Sequence, residues 1–480
     1  MYFKFTFCPI ILLLWASLSF AQNVNVVIHG ADSIAKTDDN FVCVTLDWWP
    51  AEKCDYNQCP WGKAGILNLD LRYGVLINAI KAFNPLRIKV GGSLQDNVVY
   101  KVGEVSSCPN FMKREVGLFV FSQGCLSMER WDQLNRFFNH TGVKLTFGLN
   151  ALFGRNESQT EKGLWIGDWQ PQNTRDFMQY TISKGYKVDS YEFGNQLSGS
   201  GMGAKVYAKQ YGKDVIVLKN LVKELYAHPR LNQRDDPNMM NKILDPSYLN
   251  QVSQTYKGVS DVVNNIRPRL GAWVSESGGA LNGGSKDVSR TFADGFWYLD
   301  QMGMASTYDQ KVFYRQALIG GNYGLLNATT FVPNPDYYGA LLWHRLMGST
   351  VLAVTKESDP NLRVYPHCAK KKPEVSLIFI NLSKDRSFNI TLSNAKPGDA
   401  GKPNYEFVGK QNREEFHLRA LTGDIKDDIV CLNDVPMVQT DSEDIPAMDP
   451  KLVDASTPIS IAAQSIAYVT IRDFEAPACV

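Results

Sequence analysis

The sequence predicts an α/β protein: a (β/α)8 barrel of the TIM type, followed by an antiparallel β-sandwich. Between residues 41 and 347, short apolar runs alternate with amphipathic helical stretches, which is the pattern of a parallel sheet with helical crossovers. After about residue 348, short apolar runs are separated by polar turns without helices, which indicates antiparallel strands. We therefore expect a barrel over residues 41–348 and a sandwich over residues 349–480, with residues 22–40 adding to the sandwich.

The N-terminus reads as a secretory signal peptide over residues 1–21. Lys4 precedes an apolar run at residues 10–15, and small residues end at Ala21, where cleavage is expected. The apolar run is too short to span a bilayer. We expect a protein of the secretory pathway, either extracellular (apoplast) or vacuolar or lysosomal, and not a transmembrane one.

Eight cysteines remain after the predicted signal peptide is removed, and an even number in a secreted chain favours disulfides. Cys54 with Cys59 and Cys108 with Cys125 are plausible local bridges, but the sequence leaves the full connectivity open. A metal knuckle at Cys54 and Cys59 is the alternative, and no histidine lies nearby to complete it. No metal and no cofactor are expected.

Five Asn-x-Ser/Thr sequons follow the signal peptide. Glycosylation would require each of them to lie at the surface. They are Asn139, Asn156, Asn327, Asn381 and Asn389.

The charge balance excludes some partner classes. Fifty basic and 49 acidic residues give a net charge of +1, so nothing indicates nucleic acid or an anionic membrane as a partner. We expect a monomer.

The barrel pattern is incomplete. A closed barrel of this type has eight strands, but the sequence predicts six. Helices and no convincing strand lie between residues 193 and 270, so either two strands are disguised or part of the barrel is missing. The predicted strands are residues 41–47, 86–91, 143–149, 188–193, 270–274 and 311–319. The predicted helices are residues 67–83, 131–138, 174–184, 208–228, 291–302 and 335–347.

Polar side chains follow the predicted strands at the edge where parallel α/β folds place function. They are Asp47, Ser93, Asn195, Gln196 and Glu276. Retaining glycoside hydrolysis uses two carboxyl groups roughly 5 Å apart, one as nucleophile and one as acid and base. Glu276 provides one of them, and the natural position for the other is residue 196, which is an amide.

These stretches resemble the plant heparanase-like proteins of glycoside hydrolase family 79. The resemblance runs from about residue 24 to the C-terminus. It rests on CVTLDWWPAEKCDY from residue 43, KVGGSLQDNVVY from residue 89, YEFGNQLSGSG from residue 191, WVSESGGA from residue 273, FWYLDQMGMAS from residue 296 and GGNYGLLNATTFVPNPDYYGALLWHRLMG from residue 320. It implies a (β/α)8 barrel with a β-sandwich, and a partner that is a β-glucuronide-containing carbohydrate or conjugate.

The resemblance also implies roles for the strand-end residues. Glu276 matches the nucleophile, and position 196 matches the acid/base, which the family has as Glu. Asn195 is expected to hydrogen-bond the hydroxyl at C2 of the sugar, and Asp47 and Ser93 to line the same subsite.

Three further positions match groups that hold the glucuronate carboxylate. Gly283 and Gly284 are expected to offer backbone N–H groups, and Tyr323 its phenol.

The sequence departs from this family at two places. Gln196 cannot exchange a proton, and the stretch that carries the fifth and sixth strands is absent after residue 232. We therefore expect a secreted retaining hydrolase of β-glucuronides with impaired turnover. The alternative is a catalytically silent glucuronide-binding member or the product of a shortened gene model, through a skipped exon or a faulty gene prediction.

Overall fold

A computed structural model of the chain describes most of its 480 residues. The described ranges are residues 21–54, 59–115, 118–198, 203–225, 244–266, 271–279, 283–285, 287–356, 359–371, 374–395, 412–439, 443–472 and 474–480. The predicted signal peptide, apart from its last residue, lies outside the described residues.

The structure alternates strands and helices up to residue 346 and continues with strands. The strands of the first part are β1 (Gln22–Lys36), β2 (Val42–Asp47), β3 (Arg87–Gly91), β4 (Val98–Lys101), β5 (Gly124–Ser127), β6 (Lys144–Leu149), β7 (Asn156–Glu157), β8 (Trp165–Ile166), β9 (Ser190–Phe193), β10 (Ala272–Ser277) and β11 (Gln310–Arg315). The helices are α1 (Gly74–Lys81), α2 (Met128–Thr141), α3 (Gln172–Ser183), α4 (Ala208–Leu225), α5 (Pro246–Leu249), α6 (Val252–Ile266), α7 (Phe292–Thr307) and α8 (Pro335–Leu346). The later strands are β12 (Met347–Lys356), β13 (Leu362–Ala369), β14 (Val375–Asn381), β15 (Phe388–Asn394), β16 (Asn412–Ala420), β17 (Val430–Leu432), β18 (Val435–Pro436), β19 (Lys451–Asp454), β20 (Ile459–Ile461) and β21 (Ser465–Ile471).

Among the described residues, six parallel strands form the barrel sheet, in the order β10-β11-β2-β3-β6-β9. Each of these strands was predicted from the sequence. Strand β2 is buried along its whole length, as expected for a parallel sheet covered on both faces. β9 and β10 are the two outermost strands, and no other strand of the described residues closes the gap between them.

The first helix is shorter than predicted, because tertiary contacts override its helical pattern. The prediction was residues 67–83, and α1 covers only Gly74–Lys81. Before it, the Ile66 N–H donates to the Asp47 carbonyl at 2.8 Å. The Arg130 guanidinium also donates to the Ile66 and Leu69 carbonyls. These bonds hold the segment as turns beside the end of β2.

The second sheet has eleven strands and includes the N-terminal segment, since β1 lies between β12 and β15. Its central strands are buried on both faces. In β14, Leu377 and Phe379 face the core enclosed by the sandwich, whereas Ile378 and Ile380 join the core of the barrel. β21 alternates in the same way, and the Tyr468 hydroxyl donates to the Gly339 carbonyl of α8 at 2.9 Å.

Three disulfides link cysteines of the described residues: Cys54–Cys59, Cys108–Cys125 and Cys368–Cys479. Both local bridges proposed from the sequence are present. Cys43 and Cys431 are buried free thiols, so the even count did not imply complete pairing. They lie on β2 and β17, in different sheets.

The five sequons differ in accessibility. Asn139 and Asn156 are exposed, and Asn327 and Asn389 are partly exposed. Asn381 is fully buried, and its Nδ2 donates to the carbonyls of Arg386 at 2.7 Å and Ala462 at 2.8 Å. Because Nδ2 is the atom that carries an N-glycan, the prediction for Asn381 is incompatible with this fold.

Within the described part of the chain, we find no helix with the length and apolar character needed to cross a membrane.

Candidate active site

The site is organised around a buried lysine that touches both outermost strands of the barrel sheet. Lys89 projects from β3, and its Nζ lies 3.1 Å from Oε2 of Glu192 on β9. The same Nζ lies 3.5 Å from Oε2 of Glu276 on β10. One ammonium can reach both strands only if the sheet curls around it, so these side chains mark the interior of an incomplete barrel.

The charges of this cluster compensate one another. Burial disfavours the charged form of Lys89, but the carboxylates of Glu192 and Glu276 outweigh burial and raise the pKa of Lys89. Lys89 therefore stays positively charged, and its field favours the ionised form of Glu276. An ionised carboxylate is the form that can attack an anomeric carbon.

Asp47, at the end of β2, is a second buried carboxyl group beside Glu276. Burial and then the negative charge of Glu276 raise the pKa of Asp47 to about 8. Gln316 Nε2 donates to Asp47 Oδ2, and Thr45 donates in turn to Gln316 Oε1. Asp47 Oδ1 is buried and finds no hydrogen-bond partner among the described residues. Burial thus favours the neutral form of Asp47, which keeps one oxygen available to a ligand.

Asn195 and Gln196 follow β9 in a loop fixed by Asp96. The Asp96 carboxylate accepts from the backbone N–H groups of Asn195 at 2.6 Å and Ala151 at 2.7 Å. Gln196 has a positive φ of 52°, which is rare for a residue with a side chain. Asn195 Nδ2 and Gln196 Oε1 are buried without a hydrogen-bond partner in the part of the chain described. Such atoms are suited to ligand hydroxyl groups.

The predicted carboxylate-binding residues lie together. Gly283 and Gly284 have positive φ values of 81° and 85°. The Asn322 N–H donates to the Gly283 carbonyl at 2.5 Å, which brings the segment before Tyr323 against the glycines. A Cβ added to Gly284 would lie 2.7 Å from the Tyr323 ring. The ring therefore packs directly on the glycine backbone.

A buried charge network around Arg315 holds the backbone of Tyr323. Arg315, at the end of β11, pairs with Asp294 and, at 2.9 Å, with Asp336. Its guanidinium also donates to the Tyr323 carbonyl at 3.0 Å. Burial raises the pKa of Asp336 to about 7, although Arg315 opposes this. The network fixes the backbone on which Tyr323 is carried.

Ser93 lies beside this cluster, and no hydrogen bond or ion pair to another described residue assigns it a role. It follows Gly92, where a Cβ would overlap Asp47 Oδ1. The glycine therefore lets the loop approach Asp47 closely and brings Ser93 to the same edge of the sheet.

Sequence reasoning missed Lys89, Glu192 and Gln316. Lys89 and Glu192 are charged residues inside apolar strands, and a charge at such a position is a signal for a buried partner. No group of three or more histidine, cysteine or acidic residues suited to a metal ion occurs in the described ranges.

Comparison with known proteins places these residues in a family context. The family model described as "Glycosyl hydrolase family 79, N-terminal domain" matches residues 23–234 and 230–303. The chain is 44% identical to heparanase-like protein 2 of Arabidopsis thaliana, over 98% of each protein. It is 35% identical to baicalin-beta-D-glucuronidase of Scutellaria baicalensis, over 93% of this chain and 92% of that protein.

The same comparisons bear on the incomplete barrel. The two family matches meet at residues 230–234, between α4 and α5. The alignment with the Arabidopsis protein extends over 529 positions, whereas the chain has 480 residues, so at least 49 positions of the relative face gaps. These findings favour a missing part of the barrel over two disguised strands.

The fold also resembles solved glycosidases. An arabinofuranosidase crystal structure superposes with a TM-score of 0.65, at 11% identity, over 94% of this chain and 100% of that chain. At this identity the likeness concerns the fold alone. It agrees with the predicted (β/α)8 barrel and β-sandwich.

Proposed function

Because the chain belongs to glycosyl hydrolase family 79, we propose that it is a β-glucuronide-binding retaining hydrolase whose turnover is limited by Gln196. The observation on which this proposal rests is the contact between Lys89 and Glu276, which sets a carboxyl group beside a buried ammonium inside the barrel. The relative named baicalin-beta-D-glucuronidase supports a glucuronide as substrate.

In this proposal Glu276 attacks the anomeric carbon, and the bond to the leaving oxygen breaks. Asn195 Nδ2 and Asp47 Oδ1, which have no hydrogen-bond partner in the described residues, bind sugar hydroxyls. The positive-φ backbone at Gly283 and Gly284, with the Tyr323 phenol, holds the glucuronate carboxylate without adding a second cation to the Lys89 ammonium beside Glu276.

Gln196 limits both chemical steps. Its amide cannot protonate the leaving oxygen, nor take a proton from the water that hydrolyses the glycosyl-enzyme. General acid and base assistance contributes roughly 10²- to 10⁴-fold. Turnover is therefore confined to glucuronides with good leaving groups, such as aryl glucuronides. Azide, which needs no base, is expected to accelerate the second step.

The test compares the chain with its Gln196→Glu variant on para-nitrophenyl and methyl β-glucuronides. We expect the variant alone to cleave the methyl glucuronide, and azide to accelerate only the chain with Gln196. Equal cleavage of the methyl substrate by both proteins, without an azide effect, would contradict the role given to residue 196. Inactivity of both would point to the missing strands.

A second candidate is a catalytically silent member that binds glucuronides, and Gln196 itself favours it. Titration calorimetry with glucuronic acid separates the candidates. Binding without turnover of any aryl glucuronide supports the silent member. Absence of binding together with aggregation supports a nonfunctional product of a shortened gene.

We also propose that the protein is secreted and glycosylated. Three disulfides are typical of an oxidising compartment. Asn139 and Asn156 are exposed sequons. Mass spectrometry of the protein from culture medium, before and after glycosidase treatment, tests both statements.

A further inference from the structure

A small sheet stands on the rim of the barrel beside position 196. We call residues 156–157, 164–166, 197–198 and 205–206 the rim sheet. β7 pairs with β8, and Lys205 bridges to Leu164 on one side and to Ser198 on the other. The rim sheet is built from the loops that follow β6 and β9, so it lies at the carboxyl edge of the barrel sheet.

The rim sheet is seated on its own apolar core. Leu152, Ala204 and Val206 are buried together, and Trp165 and Leu197 pack against them. Backbone bonds fix the arrangement: the Trp165 N–H donates to the Lys205 carbonyl at 2.8 Å, and the Val206 N–H to the Leu197 carbonyl at 3.0 Å. The surface is therefore preformed.

Tyr207 is an exposed aromatic side chain held in place at the end of the rim sheet. Its side chain is 52% exposed, although its hydroxyl donates to Glu161 Oε2 at 2.9 Å. Lys205 Nζ pairs with Glu161 Oε1 at 2.6 Å and lies 5.2 Å from the centre of the Tyr207 ring. The ring is thus restrained at its hydroxyl and covered by an ammonium on one side, while half of the side chain remains accessible.

Position 196 lies close to Tyr207, because the strands that carry the two residues are paired. Gln196 precedes Leu197, which is bonded to Val206, the neighbour of Tyr207. Gln196 and Tyr207 are therefore separated by one residue step along each strand and by one interstrand distance. Their Cα atoms are at most about 13 Å apart. In a retaining hydrolase the acid/base stands on the side of the leaving group. The residues beside position 196 are therefore on that side of the scissile bond.

We propose that the rim sheet is a leaving-group subsite in which Tyr207 stacks on a ring of the aglycone. The recognised chemistry is a ring with an apolar face, either aryl or sugar. This inference rests on the proposed function, because it assumes that a glucuronide occupies the pocket at Glu276.

The test measures binding, since Gln196 limits cleavage. Three thioglycosides that resist hydrolysis are titrated calorimetrically: methyl, phenyl and galactosyl 1-thio-β-glucuronide. We expect Tyr207→Ala to weaken binding of the ring-containing ligands by roughly fivefold and to leave the methyl ligand unchanged. Tyr207→Phe keeps the ring and is expected to retain most of this affinity.

The matched control is Tyr186→Ala. The Tyr186 hydroxyl also donates to a carboxylate, that of Asp132 at 2.9 Å, but Tyr186 lies between α3 and β9, at the opposite end of the barrel. We expect this variant to bind all three ligands as the unchanged chain does. An effect of Tyr207→Ala on the phenyl ligand alone identifies an aryl aglycone, and one on the galactosyl ligand alone a sugar.

Two results would overturn the inference in different ways. If Tyr207→Ala leaves all three affinities unchanged, or weakens all three equally, the rim sheet is not a leaving-group subsite and the proposed function stands. If the unchanged chain fails to bind even the methyl ligand, the proposed function is wrong and this inference fails with it.

Discussion

Lys89 Nζ lies 3.5 Å from Oε2 of Glu276, and both side chains are largely withdrawn from solvent. A positive charge at this distance typically lowers the pKa of a carboxyl group by about 1–3. Lys89→Met is therefore expected to raise the pH at which Glu276 becomes reactive. The measurement is the pH dependence of covalent labelling by a glucuronyl fluoride with fluorine at C2, whose leaving group needs no acid.

Two variants control this experiment. Lys89→Arg keeps the charge and is expected to preserve the pH profile. Glu192→Gln removes the other carboxylate on Lys89 and is expected to move the profile to lower pH. A Lys89→Met profile that coincides with that of the unchanged chain, in protein that remains folded, would show that Lys89 has only a structural role.

The glycine pair beside Tyr323 gives a second prediction. Gly284→Ala places a Cβ at 2.7 Å from the Tyr323 ring and at a φ of 85°. We expect glucuronate to bind at least about tenfold more weakly, because both the ring and the backbone must shift.

Gly185→Ala is the control, since Gly185 has a φ of 69° with open space around it. This control shares only the backbone cost of about 1–2 kcal/mol. Titration calorimetry and thermal unfolding measure both effects, and equal binding by the two variants would contradict this role of Gly284.

A third prediction concerns pH and His367, which is fully buried between the barrel and the sandwich. Burial lowers its pKa to about 4, and its ring contacts the Gly348 carbonyl at 2.8 Å and the Ser306 hydroxyl at 3.1 Å. The unfolded chain, with a histidine pKa near 6.5, binds a proton first as the pH falls. Stability contributed by neutral His367 is therefore present above about pH 6.5 and is lost between 6.5 and 4.

The measured quantity is the difference in free energy of unfolding between the chain and His367→Asn. This difference should shrink by about 2 kcal/mol from pH 7 to pH 5. Buried acids with raised pKa values, such as Asp47 and Asp96, act in the opposite direction, but they are common to both proteins and cancel. His29→Asn, at a partly exposed position, is the control. A constant difference across this range would refute the assignment.

The fourth prediction compares two disulfides. Cys368–Cys479 closes a separation of 111 residues and Cys54–Cys59 one of 5. In the chain-entropy model, replacing the long bridge by alanines costs about 4–5 kcal/mol and the short one about 2 kcal/mol. Urea unfolding of the two double variants measures the loss in free energy of unfolding for each disulfide. A larger loss for the Cys54–Cys59 variant would show that native contacts near Cys54 outweigh the effect of loop length.

The positions of the strands were predictable because they depend on local sequence pattern. Asp47, Asn195 and Glu276 were selected by the rule that function lies at the carboxyl ends of parallel strands, and the structure places all three at such ends. Lys89 and Glu192 were missed because the role of each depends on which distant strand supplies its ion-pair partner. The curvature of the sheet decides this, and sequence spacing does not reveal it. The burial of Asn381 was hidden for a related reason. Its sequon is local, whereas the bonds of its amide reach the carbonyl of Ala462, 81 residues away.

The position of β1 has a consequence for biosynthesis. β1 is synthesised before the strands that it pairs with, and these partners begin more than 300 residues later, since Val26 pairs with Lys356 and Val24 with Ile390. Until those strands are synthesised, neither edge of β1 has its native partner. Its apolar side chains, Val24, Val26 and Ile28, also lack the core that they pack into. Assembly of the sandwich must therefore follow completion of nearly the whole chain. A nascent chain stalled before residue 347 would present this strand to chaperones, whatever the state of the barrel.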